Sequence, residues 1–226
     1  MTVSLDPFSN KKIQEIEDSF DNRKAELINF FNFIKSIDDD IKDSLQKSYV
    51  LLLYANWEGF IKEISLKYFE FINSQKKKIR NLSNNFYPIY FKVLLKDYIK
   101  SSNIEIEKNI LENLLDKEKK FNLKIEEEHF LKYILGINNN LKKSNYNNIC
   151  ALIDYTCKDE FGIFEKTLER LIHNRNCIAH TGLKAQDNTY TNIEDIEEMK
   201  KNILKEMENF KIYIIKNIQE KNFLNK

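Results

Sequence analysis

Reversing a β-strand in a tight turn takes residues that tolerate unusual backbone angles, and this chain has few: four glycines and two prolines in 226 residues. That scarcity leaves little material for turn-rich β architecture and makes helices the expected structure. Apolar residues recur at three and four along most of the chain, which is the helical period. The length suits one large domain or two small ones, and a core can form without staples.

The first helix is expected over Ser9 to about Ser36, with Ser9 as N-cap and Ile13, Ile16, Phe20, Leu27, Phe30, Phe31 and Ile34 on one face. Asp38–Asp40 ends it and places negative charge at the start of the next. From Ile41 to about Asn73 apolar residues crowd more than one face, among them Leu45, Tyr49, Leu53, Trp57, Phe60, Ile64 and Tyr68. A helix apolar on most sides belongs in the middle of a bundle. Trp57 reads as core, and Gly59, which costs roughly 1 kcal/mol in a helix relative to Ala, reads as a close crossing.

Pro88 fits the first turn of a helix over about Ile89–Ser101, and Asn103 to about Lys117 reads as another. A helix through Glu126–Leu135 stops at Gly136, a left-handed C′ residue. The asparagine-rich Asn138–Asn148 is the most loop-like segment, with a short helix near Ile149–Tyr155 after it. The next helix covers about Asp159–His180 and closes at Thr181–Gly182, with Gly182 as cap glycine. Thr191-Asn192-Ile193-Glu194 is a capping box that opens the last helix, which runs to about Gln219. With no internal repeat and no linker, residues 1–226 are expected to form one all-α domain, a bundle around a long central helix.

With 36 Lys+Arg against 35 Asp+Glu, the net charge of +1 excludes a grip on long nucleic acid by bulk charge and leaves a local basic cleft open. Gln75–Arg80 (QKKKIR) is such a local run, either a solvated turn or a contact for RNA phosphates. Lys117–Lys120 is mixed in charge and exposed. Three cysteines, Cys150, Cys157 and Cys177, make no disulfide framework and fit a reducing cytosol. The N-terminal residues lack the pattern of a signal peptide, and charged residues break every apolar run before it could span a bilayer. A cytoplasmic protein with no membrane partner is expected.

The stretch Leu171–Gly182, LIHNRNCIAHTG, departs from these packing patterns. At about 100° per residue, Phe164, Leu168, Leu171, Ile172, Ile178 and Ala179 cluster on one face, and Arg175 falls near its centre. An unpaired ion in apolar surroundings costs several kcal/mol, so a carboxylate must meet it or the face must open on a cleft or a second subunit. Glu58 and Glu63 on the central helix are the candidate carboxylates. His180 lies about 140° round from Arg175, whereas Asn176 and His180 share a face. Arginine and histidine reach one phosphate only if the helix unwinds near Thr181–Gly182, or if two subunits complement each other across a two-fold axis. Guanidinium, amide and imidazole are the groups that RNA phosphodiester cleavage uses without a metal. The first grips phosphate oxygens and the last moves a proton near neutral pH.

The string Arg175-Asn176-Cys177-Ile178-Ala179-His180 at a helix end resembles the signature of the HEPN superfamily, small all-α domains with Arg, a polar residue, a short spacer and His. Gly182 stands one residue later than the usual His-Gly. Tyr54–Lys62 (YANWEGFIK) on the long helix is similar to a subgroup (MAE_28990/RiboL-PSP-like) found in bacterial defence and toxin–antitoxin loci. The resemblance implies a metal-independent endoribonuclease, without cofactor, whose site forms in a homodimer. His180 would act as base on the ribose 2′-OH or as acid on the departing 5′-oxygen, Arg175 would stabilise phosphoryl charge, and Asn176 would orient either group. Apart from the resemblance, Glu58 on the central helix is the carboxylate expected to position Arg175. A possible partner is an antitoxin or another defence protein. The alternative is a non-catalytic HEPN module that dimerises or binds a partner.

A zinc site is a sharper rival, because His173, Cys177 and His180 line one helical face, with Cys150 or Cys157 as fourth ligand. Three ligands on one straight helix converge poorly, so no metal is assigned. His129 has no role, and Tyr87, Tyr90 and Tyr98 are explained more simply by packing than by base stacking.

Overall fold

The computed structural model describes residues 6–37, 40–116, 118–122, 130–137, 140–182 and 192–225. The chain is all-α, and no β-strand occurs among the described residues. Its helices are α1 (Pro7–Ser36), α2 (Lys42–Ser74), α3 (Tyr87–Lys100), α4 (Ile104–Leu115), α5 (Lys143–Ile153), α6 (Ile163–Thr181) and α7 (Ile193–Glu220). Short 3-10 turns at Ile79–Asn81, Asn84–Phe86 and Glu160–Gly162 and a π turn at Phe130–Ile134 join them. No helix among the described residues is long and apolar enough to cross a membrane.

Helix ends follow local chemistry. α1 starts earlier than expected because Asp6, not Ser9, caps it: its carboxylate accepts the N–H of Phe8 and of Ser9, each at 3.0 Å. Ser9 is buried within the first turn, its hydroxyl bonded to the same carboxylate at 2.5 Å. Asn103 caps α4 by accepting from Glu105 and Ile106. At α7 the cap falls on Asn192, whose Oδ1 accepts the Asp195 N–H at 2.9 Å, one residue beyond Thr191, which lies outside the described residues.

The asparagine-rich loop expectation is corrected by α5, which starts at Lys143. Tyr146, Ile149, Cys150 and Ile153 are buried at helical spacing. Asn145 tethers the first turn, accepting from Lys142 N–H and donating to the Gly136 carbonyl, each at 3.0 Å. Gly136 is left-handed at φ 71°, as a C′ residue should be. The helix expected from Glu126 falls on residues 126–129, outside the described residues, as does His129, and Phe130–Ile134 forms a π turn.

The chain clusters into two compact units. One comprises Gln14–Glu63 and Cys157–Ile212, the other Met1–Ile13, Ile64–Thr156 and Tyr213–Lys226. Neither is a continuous stretch.

In the first unit, α1 and α2 meet through Phe20 against Phe60 and Phe31 against Tyr49, at ring separations of 5.8 and 5.4 Å. α2 buries residues over about 160° of its circumference, from Tyr49 through Trp57 to Ile61 in this unit, wider than the ~100° stripe of a surface helix. The space left by Gly59 holds the guanidinium of Arg23, 3.0 Å from where a Cβ would stand. That guanidinium bonds Glu63 at 3.0 Å and Asn56 at 3.4 Å. The crossing predicted at Gly59 is therefore filled by a charged head rather than by a helix backbone.

The second unit is built on aromatic packing. Phe69 lies between Phe86 and Phe130, at 5.9 and 5.2 Å, and Phe71 meets Phe223 edge-on at 5.6 Å. Tyr68 is wholly buried beside Asn217, and burial pushes its phenol well above the usual range.

Candidate functional site

α6 carries the candidate residues. Its entry is a tight reversal in which Phe161 (φ 68°) and Gly162 (φ 66°) are both left-handed. Asp159 then reaches over that reversal, one oxygen accepting the Phe164 N–H at 2.8 Å and the other the Glu165 N–H at 2.9 Å. A carboxylate on the first free N–H groups also suits the helix dipole. The helix ends at Gly182 (φ 69°), whose N–H donates to the Ile178 carbonyl at 2.9 Å. The expected closure at Thr181–Gly182 is observed, and α6 stays α-helical through Thr181. Unwinding before His180 therefore does not occur.

The buried face of α6 differs from the apolar face read from spacing. Phe164, Thr167, Leu168, Leu171, Asn174 and Ile178 are buried, whereas Ile172 is half-buried and Ala179 exposed. The centre is rotated by about 50° toward Thr167 and Asn174, leaving Arg175 at the edge. Two polar residues tolerate the interior because they bond to their own helix. Thr167 Oγ1 donates to the Ile163 carbonyl and Asn174 Nδ2 to the Arg170 carbonyl, both at 2.8 Å. Asn202 of α7 adds a bond to Thr167 at 3.2 Å. Asn174, wholly buried beside Arg175, lies on a polar position that the apolar face read from spacing leaves out. Its place three residues after Leu171 and four before Ile178 is the local signal that marks it as interior.

Arg175 is half-buried. Its guanidinium lies over the ring of Tyr54 on α2, 5.0 Å from the centroid, and Nη1 donates to Asn176 Oδ1 at 2.9 Å. Tyr54 is 3% exposed and packs on Trp57 at 5.9 Å, so the ring is a fixed floor. In the sequence Tyr54 stands out only as part of a motif, and its place under the arginine depends on a contact between residues 54 and 175. Of the carboxylates proposed for Arg175, Glu58 pairs with Lys62 at 2.5 Å. Glu63 accepts from Arg23 at 3.0 Å and from Ser19 at 2.8 Å.

His180 is exposed in the last turn, one turn beyond the half-buried Asn176. The Arg175–Asn176 bond turns the guanidinium toward the residue that shares the His180 face. Within one chain the Arg175 and His180 Cα positions still diverge by about 140°. The arrangement offers a planar cation with a fixed floor, an amide bonded to it, and a solvent-facing imidazole next along. These are the parts for holding a phosphodiester and moving a proton.

His173 and Cys177 approach each other, Nε2 to Sγ 3.9 Å. All three cysteines are free thiols, and among the described residues no group of three or more His, Cys, Asp or Glu is placed to hold a metal ion. The third ligand of the zinc alternative does not converge on the other two.

A family model described as MAE_28990-like HEPN matches residues 12–223. No curated protein and no solved structure matches the chain.

Proposed function

Because the chain belongs to the MAE_28990-like HEPN family, we propose that it is a metal-independent endoribonuclease acting in phage defence or as a toxin. The observation that carries this reading is the row Tyr54, Arg175, Asn176, in which an arginine at the edge of a buried face is kept within reach of solvent, with an exposed His180 one turn beyond Asn176. In the proposed reaction the ribose 2′-oxygen attacks phosphorus as its proton passes to one imidazole. The bond to the 5′-oxygen breaks as water protonates it, leaving a 2′,3′-cyclic phosphate, and the imidazolium returns its proton to solvent. Arg175 stabilises charge on the non-bridging oxygens, and Asn176 holds the guanidinium in place. DNA lacks the 2′-hydroxyl and is not cut.

The divergence of Arg175 and His180 within one chain leads us to place the complete site in a homodimer, Arg175 from one copy facing His180 from the other. That divergence also favours a second reading, a non-catalytic HEPN module that dimerises or binds a partner such as an antitoxin. Incubating the pure protein with total RNA in EDTA and mapping the cut ends separates the two. The nuclease reading expects cleavage with cyclic-phosphate ends, lost in Arg175→Ala and in His180→Ala with the fold retained. Wild-type cutting by both variants would remove Arg175 and His180 from the mechanism, and no cutting by the native protein would favour the binding module.

A further inference from the structure

The basic run Lys76–Arg80 does not stand as an isolated solvated loop. Ile79 N–H donates to the Lys119 carbonyl at 2.9 Å and Phe121 N–H to the Lys77 carbonyl at 2.8 Å, an antiparallel bridge that sets Lys78 opposite Lys120. The two hydrogen bonds flank that pair rather than join it, which is the arrangement with the closest side chains. Like charges directly opposite each other destabilise a ribbon.

Here the ribbon is held regardless, because Ile79, Leu82 and Phe121 anchor it in the interior at 3%, 1% and 2% exposure. On its other side Asn225 N–H donates to the Asn81 carbonyl at 2.9 Å and Asn225 Nδ2 to the Arg80 carbonyl at 2.8 Å. The fold thus gathers Lys76, Lys77, Lys78, Arg80, Lys119 and Lys120 on one small ribbon. The acids within it are Asp116, bonded to the Glu118 N–H at 2.9 Å, and Glu118, which pairs with both Lys78 and Arg80. Among the described residues six cations stand against two acids, in a protein whose overall charge is +1.

We propose that this ribbon binds the phosphodiester backbone of a single nucleic-acid strand, the RNA substrate in the ribonuclease reading on which that identity rests. A polyanion supplies the counter-charge that the two acids leave short, and the backbone pairing places the cations before the strand arrives. Contacts to phosphate carry no sequence information, so the ribbon contributes affinity and not sequence choice.

The test uses the full chain as His180→Ala, so that bound RNA is not cut, and follows anisotropy of a labelled short single-stranded RNA against salt. The triple variant Lys76→Gln, Lys77→Gln, Lys120→Gln leaves the Glu118 ion pairs intact. Loss of three phosphate contacts makes the slope of log affinity against log salt shallower by about 2 for a single strand. Between about 50 and 200 mM salt, the parent affinity then falls about 20-fold further than that of the triple variant.

Lys120→Gln alone removes the opposed charge, so it weakens RNA binding without lowering the melting temperature; a merely structural lysine would do the reverse. Glu118→Gln tightens binding, and the triple Lys→Arg variant keeps it. Unchanged affinity and slope in the triple variant overturns the proposal. So does competition by an acidic peptide as strong as that by unlabelled RNA, which would assign the ribbon to a protein partner. The readout is binding, so its failure leaves the cleavage test untouched, and failure to cleave leaves this result standing.

Discussion

A guanidinium laid on the face of a buried phenol is held by the ring's quadrupole and by loss of water on one side. Such contacts contribute about 0.5–2 kcal/mol. If Arg175 acts on phosphate, Tyr54→Leu should lower kcat by about tenfold through loss of that floor, since about 1.4 kcal/mol is a factor of ten. Tyr54→Phe keeps the ring and should stay near the native rate. Equal losses of rate and melting temperature in both variants would reduce Tyr54 to a packing residue. Arg175→Lys removes the planar fork that spans Tyr54 and Asn176, so cleavage should drop although the charge stays.

At the scale of the helix, both ends of α6 depend on left-handed residues, and they make opposite predictions. Gly182 has open space where a Cβ would stand, so Gly182→Ala carries only the backbone penalty of about 1–2 kcal/mol. Phe161 adopts the same region at φ 68° while 88% exposed. Phe161→Asn gives up almost no burial and should stabilise by roughly 0.5–1 kcal/mol, because Asn tolerates this region better. Thermal melts of the two variants should move in opposite directions.

On α7, Lys200 lies 3.7 Å from the Phe31 ring centroid, and burial lowers its ammonium below the usual lysine range despite Glu197. The folded state thus binds that proton less readily than the unfolded chain, and stability rises with pH as Lys200 loses it. Lys200→Met should be no less stable at neutral pH. The wild type should gain on it as pH approaches the ordinary lysine range. Chemical denaturation at two pH values measures that difference.

At the scale of the whole molecule, the proposal of a shared site makes a demand that no single copy can meet. Mixed Arg175→Ala and His180→Ala chains should regain cleavage, because a mixed pair holds one intact Arg175–His180 combination. With random pairing the recovery is about a quarter of native activity, as two-fold symmetry dictates. Sedimentation should show two chains per particle, and a monomer that still cleaves RNA would discard the shared site. Trp57, wholly buried on α2, should resist replacement, with Trp57→Ala losing about 3–5 kcal/mol in denaturation.

Helix content and most helix ends were legible in the residues, because the 3.6-residue period, Pro88, Asn103 and Gly182 act within a turn or two of themselves. The motif Arg175-Asn176…His180 was legible for the same reason, as was its divergence about one helix axis. The loop assigned to Asn138–Asn148 failed where Asn145 used its side chain to cap instead of to break, a choice set by the Gly136 carbonyl nine residues away. The buried face of α6 was misplaced because Thr167 and Asn174 become tolerable inside only when their own helix carbonyls accept their protons. That Arg175 meets Tyr54, that Arg23 fills the space at Gly59, and that Lys78 faces Lys120 were decided by the tertiary structure alone. Local spacing determines which residues share a face, but which polar group a face meets depends on partners far along the chain, and their positions exist only once the elements have packed.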